Sequence, residues 1–160
     1  MKHLLAGLIL FASLSLSMSS CGKDNDPTST EESGNNNGTT NNPNGSKMKI
    51  TVGSAVFTAT LFDNPSVTAL KARLPLTINM EDLNANEKFY HFSTTLPANA
   101  SAVGNILIGD LMLYGNNSFV LFYKSFNTSY TYSRLGRIDN VNGLVTALGS
   151  GNVTVKLELQ

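Results

Sequence analysis

The sequence predicts a mainly β domain over residues 47–160, a closed β-barrel carrying two short helices. Three observations lead there. Apolar residues alternate with polar ones at period two near both ends of this region. Runs of aromatic and branched residues lie between, separated by Gly- and Asn-rich turns. Two further segments carry helix-start signals of their own. Closing the sheet hides the unpaired edges that long apolar strands would otherwise expose.

The elements follow in order. Met48, Ile50 and Val52 alternate with Lys47, Lys49 and Thr51, and Phe57, Ala59 and Leu61 repeat the pattern after a Gly53-Ser54 turn. Asn64 is placed to cap a helix with Pro65 at its first position, where the missing N–H costs nothing. Val67, Leu70 and Leu74 follow at helical spacing, and Pro75 ends the segment. Glu81, Asp82 and Glu87 read as loop and helix-start charges. Lys88 to Phe92 is a strand. Leu111–Tyr114 and Phe119–Tyr123 form a hairpin through Gly115-Asn116-Asn117-Ser118. Phe126 to Arg134 reads as a loop. Asn140 or Asn142 can cap a short helix from Gly143 to Leu148, with Gly149 as its stop. Val153, Val155, Leu157 and Leu159 close the domain as a half-buried strand.

The first 46 residues differ in kind. Residues 1–20 read as a signal peptide of the bacterial lipoprotein pattern: Lys2, an apolar stretch from Leu4 to Leu16, then Ser19 and Ser20 before the chain's lone cysteine, Cys21. That pathway acylates the thiol and cleaves before it, so Cys21 is the expected lipidation site and membrane attachment point. A spanning helix needs about 20 apolar residues, more than this stretch offers. Residues 21–46 are the lipidated Cys and a flexible tether. Gly22 to Ser46 carries no large apolar residue, so it cannot offset its chain entropy by burial. The run Cys21-Gly22-Lys23-Asp24-Asn25-Asp26 resembles the lysine-plus-acid tag that sends some Gram-negative lipoproteins to the outer face of the outer membrane. The expected location is therefore the cell envelope, at the outer membrane and exposed on its surface.

Charge and cysteine count exclude several functions. The tether has a net charge of −3 and residues 47–160 a net charge of +2, with no basic stripe interleaved with aromatics, so nucleic acid is not an expected partner. One cysteine permits no internal disulfide. Outside the signal His91 is the only histidine, so no metal site and no cofactor is expected. The Gly104 to Gly109 interval lacks the lysine and hydroxyl residue of a phosphate loop.

A family resemblance rests on motifs in order along the chain. Ile50-Thr51-Val52, Phe57-Thr58-Ala59-Thr60-Leu61 and Asn64-Pro65 open it. Gly109-Asp110-Leu111-Met112-Leu113-Tyr114-Gly115 and Val120-Leu121-Phe122-Tyr123 follow, then Leu135-Gly136-Arg137-Ile138-Asp139 with Gly143-Leu144-Val145 and Ala147-Leu148. Together they resemble the bacterial cyclophilin-like domain family from Met48 to Leu159. The resemblance implies an eight-stranded barrel related to the cyclophilin prolyl isomerases. Cyclophilins place an arginine on a Phe-His-Arg strand to polarise the prolyl amide, followed by a Phe-Met-Gln-Gly segment. The comparable stretch here, Lys88-Phe89-Tyr90-His91-Phe92 and Ser93-Thr94-Thr95-Leu96-Pro97, has neither. Arg134 and Arg137 belong to another strand.

Seven of the chain's aromatics fall between Tyr114 and Tyr132. Most are expected in the barrel core or on the hairpin surface, since aromatics favour strands. The remaining expectation is that the Phe126 to Arg134 loop exposes Tyr130 and Tyr132 beside Arg134, because tyrosine and arginine anchor binding surfaces. His91 as a general base lacks a visible nucleophile and orienting acid, and Asp110 is expected to pair with Arg134 or Arg137. The catalytic residues of any reaction are unknown from the sequence. The leading expectation is a non-catalytic binding module that captures a peptide, glycan or small-molecule ligand near Tyr90, Tyr130, Tyr132 and Arg134. The alternatives are a divergent prolyl isomerase that uses Arg134 or Arg137 at the rim, and a structural lipoprotein without a small ligand.

Overall fold

The computed structural model describes residues 43–160. The signal, Cys21 and nearly all of the tether lie outside the described residues. The first hairpin pairs β1 (Lys47–Val52) with β2 (Ala55–Leu61) across the Gly53-Ser54 turn. Helix α1 (Pro65–Lys71) comes next, and the Asn64 Oδ1 accepts from the Val67 N–H at 3.0 Å, so the expected cap is in place. The helix ends three residues before Leu74, which packs half-buried against the core.

Then follow β3 (Leu76–Leu83) and β4 (Glu87–His91), two short strands β5 (Ser101–Ala102) and β6 (Asn105–Ile106), and the expected hairpin of β7 (Asp110–Tyr114) and β8 (Ser118–Phe122). A third short strand, β9 (Phe126–Asn127), pairs with β6. The long β10 (Thr131–Ile138), helix α2 (Leu144–Leu148) and β11 (Val153–Leu159) complete the chain.

Eight antiparallel strands run in the order β2-β1-β11-β3-β4-β8-β7-β10, and β10 pairs back onto β2, which closes the barrel. The seam is tight. A Cβ on Gly136 would stand 2.6 Å from the Thr60 carbonyl oxygen and 2.9 Å from a Leu61 methyl, so only glycine fits where β10 meets β2. One residue of β10 is extra. Arg134 pairs with Met112 and Gly136 with Leu111, so Leu135 forms a bulge that shifts the strand's phase.

Two apolar clusters result. The larger one, with Ile50, Phe57, Ile78, Leu111, Leu135 and Leu157 among its members, draws on all eight strands and fills the barrel. The smaller one gathers Ile106, Met112, Val120, Phe122 and Tyr132. Met112 and Val120 alternate with Leu111, Leu113, Phe119 and Leu121 of the inner cluster, so they face outward. This second cluster lies against the outer wall of β7, β8 and β10, with Val103 and Phe126 from the flanking segments packed on it.

Three expectations need correcting. Leu76–Leu83 is a strand and Glu87 begins β4, so Glu81, Asp82 and Glu87 are strand residues and not loop or helix-start charges; Leu76, Ile78 and Met80 alternate inward against β11. Thr131 to Arg134 is strand too, because Thr131 pairs with Ala102 and Ser133 with Leu113. Neither Asn140 nor Asn142 caps α2. Asn140 instead accepts the Asn142 N–H in a local turn, and the helix starts after Gly143, which takes φ 78°. Gly149 stops the helix as expected.

Candidate functional site

Strand alternation on β4 sends its side chains to two different jobs. Lys88 faces the barrel and is fully buried. Its Nζ donates to Asp82 Oδ2 at 2.5 Å and to the carbonyls of Gly149 and Gly151 at 3.0 and 2.6 Å. The Tyr123 hydroxyl donates to the same carboxylate at 2.9 Å. The Lys88 hydrogen bond, joined by that of Tyr123, holds the Asp82 carboxyl below its usual range despite partial burial. Burial and the Asp82 contact push Tyr123 up to about 12. This cluster pins β3, β4 and β8 to the turn after α2, and all its cationic charge is used.

The other face of β4 presents Glu87, Phe89 and His91. These residues form one wall of a cavity of about 540 Å³ on the outside of the barrel. The same sheet face continues through Ser118 and Val120 of β8, Tyr114 of β7 and Tyr132 of β10, and the Phe126 to Tyr130 segment also lines the cavity. The rings are set edge to face. Tyr114 and Tyr130 stand 6.1 Å apart at 88°, Tyr114 and Tyr132 5.5 Å apart, and Phe122 meets Tyr132 at 5.6 Å and Phe126 at 5.7 Å. Phe89 and His91 form a second aromatic pair at 5.0 Å.

Glu87 is the charged group of this cavity. The residue is 9% exposed, its carboxylate keeps access to the cavity, and among the described residues it has neither a hydrogen bond nor an ion pair. Burial pushes its carboxyl above the usual range. Tyr132 is pushed up to about 12, first by burial and then by the Glu87 charge. Among the described residues no lysine or arginine lines the cavity.

His91 Nδ1 lies 2.7 Å from Ser118 Oγ across the β4–β8 pairing. A hydrolytic triad would also need an acid on the other ring nitrogen. Glu87 is four residues back along the strand, about 13 Å at the Cα atoms, and among the described residues no carboxylate is bonded to the imidazole. The pair therefore reads as a strand-to-strand clamp. Among the described residues no three His, Cys, Asp or Glu side chains group as metal ligands.

The four residues singled out from the sequence divide. Tyr130, 62% exposed, and Tyr132, 5% exposed, share the aromatic cavity, although Tyr132 is buried in β10 and not displayed on a loop. Tyr90 points the other way on β4, toward the inner cluster, with its ring 5.4 Å from Phe92. Arg134 borders a separate cavity of similar volume with Asn64, Pro97 and Ser133, and its Nη2 reaches the Val103 carbonyl at 3.4 Å. Asp110 pairs with Arg137, at 2.6 Å to Nε, and not with Arg134. The sequence reading missed Glu87, Phe89 and Tyr114 as site residues. The signal was Glu87, Phe89 and His91 at spacing two within a strand, which puts all three on one face.

A closed, eight-stranded antiparallel barrel with an aromatic cavity on its outer wall defines the class. The chain belongs to the cyclophilin-like family, whose pattern matches residues 50–158. No curated protein matches the chain. It is similar to a hypothetical protein from Archaeoglobus fulgidus, known from its solution structure, at 16% identity and a TM-score of 0.48, over 76% of this chain and 99% of that one.

Proposed function

We propose that this protein is a lipid-anchored cell-envelope protein whose cyclophilin-like barrel binds a ligand and does no chemistry on it. The observation that carries the binding reading is the outer-wall cavity. It has the volume of a small-molecule site, a set of Phe and Tyr rings in its walls, and polar groups from Asn84, Asn86, Glu87, Ser118 and the Phe126 to Tyr130 segment. Its neighbourhood supports binding over catalysis: among the described residues the lining supplies no arginine to polarise a prolyl amide. The lipid anchor rests on Lys2, the apolar run and Cys21.

The test is NMR on the isotopically labelled full chain, titrated with a small-molecule and peptide panel that includes a proline peptide with resolved cis and trans signals. The expected result is shift changes centred on Phe89, Tyr130 and Tyr132, with cis–trans exchange no faster than the uncatalysed rate of tens of seconds. Accelerated exchange overturns the non-catalytic reading. Shifts centred instead on Arg134 and Pro97 overturn the choice of cavity.

A further inference from the structure

We infer that the aromatic cavity takes a small organic cation, an alkylammonium head group seated between the tyrosine and phenylalanine rings with Glu87 as its counter-charge. This rests on the binding reading of the same cavity.

Burying a carboxylate without a partner is costly, and buried charges in folded proteins are ordinarily paired. Glu87 is largely buried with its carboxylate open to the cavity, where a ligand would seal it from water, and among the described residues it has no cation beside it. The nearest lysine in sequence, Lys88, is turned to the opposite face and saturated by Asp82 and two carbonyls. A cationic ligand supplies the missing partner from outside.

The walls favour the same sign of charge. An aromatic face is the negative end of a ring quadrupole, and rings at right angles around a small volume form the cage that recognises ammonium groups. Tyr114 and Tyr130 stand at 88° to one another, and Tyr132 adds a third ring to the same cavity. The remaining polar lining includes Asn84, Asn86, Ser118, Asn127, Thr128 and Ser129, uncharged groups that offer acceptors, and Asn86 Oδ1 is buried without a partner among the described residues. An anion entering here would meet Glu87 with no cation to answer it. A purely apolar ligand would leave the carboxylate buried and unpaired.

Calorimetric titration of the full chain at neutral pH tests this with three probes: choline, Nα-acetyl-lysine methylamide, and 3,3-dimethylbutan-1-ol, the neutral shape-match of choline. The first two separate a methylated head group from a lysine side chain as the source of the ammonium. One or both should bind at least about tenfold tighter than the alcohol, a ratio worth 1.4 kcal/mol. Glu87→Gln should erase that preference while the protein still melts cooperatively, and Tyr130→Ala should weaken the cation without touching Glu87. If the alcohol binds as tightly as the cations and Glu87→Gln changes nothing, the cation inference fails and the binding reading stands. If none of the three binds, the cation inference fails, and the NMR titration with the small-molecule and peptide panel decides the binding reading separately.

Discussion

The ammonium of Lys88 and the carboxylate of Asp82 form a 2.5 Å ion pair whose lysine end is fully buried while the acid end keeps 22% of its side chain exposed. Removing one partner of such a pair strands the other, and here it also strands the carbonyls of Gly149 and Gly151. Lys88→Met should cost about 3 kcal/mol, and chemical denaturation should show it. Adding Asp82→Leu should restore part of the loss. The pair also has a pH signature. The folded-state pKa of Asp82 is depressed, so its stabilisation is present above the unfolded value and disappears as pH falls through the folded one. The Lys88→Met penalty should therefore shrink in acid.

Glu87 has the opposite sign. Burial raises its folded-state pKa, so its favourable contribution is full below the unfolded value and is lost as pH rises through the folded one. At neutral pH the ionised form opposes folding. Glu87→Gln should therefore melt higher than the wild type at pH 7, and the advantage should vanish below pH about 4, under the ordinary glutamate range. The groups sharing its cavity, His91, Tyr114, Tyr130 and Tyr132, remain in place in both proteins. Thermal melts across pH check this, and a less stable Glu87→Gln at neutral pH would contradict it.

At the barrel seam, Gly136→Ala puts a methyl against the Thr60 carbonyl and the Leu61 side chain. Overpacking of this kind costs about 1–3 kcal/mol. Hydrogen exchange should quicken first at the amides of Phe62 and Asp139, which donate across the seam to the Leu135 and Thr58 carbonyls.

Cys21→Ser tests the anchor directly. Labelling cells with an alkyne fatty acid should tag the wild-type chain and leave the variant untagged, with the variant running as the larger precursor that keeps its signal. Equal labelling of both would overturn Cys21 as the lipidation site.

Much of the barrel was legible in the sequence where one face of a strand is apolar and the other wet. Met48, Ile50 and Val52 show that pattern, as do Val153, Val155 and Leu157; their inward residues are buried or half-buried. The Asn64-Pro65 cap is a local signal and local physics fulfils it. Leu76–Leu83 was harder because Asn79, Glu81 and Asp82 are poor strand residues, and pairing with β11 and β4 overrides them. The cavity was legible only in part. Tyr130 and Tyr132 stood out by residue type, whereas Glu87, Phe89 and Tyr114 meet them only through the pairing of β4 with β8 and β8 with β7. The burial of Lys88 had no sequence signal, since a lysine in a strand is ordinarily exposed.

The extra residue at Leu135 has a consequence for what β10 can offer the molecule. Were Leu135 an ordinary paired residue, strict alternation would carry the side of the strand that holds Tyr132 onward to Gly136 and Ile138 and drive Arg137 into the barrel. The bulge inverts the count midway, so Tyr132 and Arg137 both look outward while Leu135 and Ile138 both look inward. One strand thus serves the cavity wall at one end and the Arg137–Asp110 bond at the other, and the buried polar side chain that it turns inward, Ser133, accepts the Asn99 N–H. A chain lacking Leu135 would keep Tyr132 and Arg137 on the outer face and would lose an apolar side chain from the barrel interior.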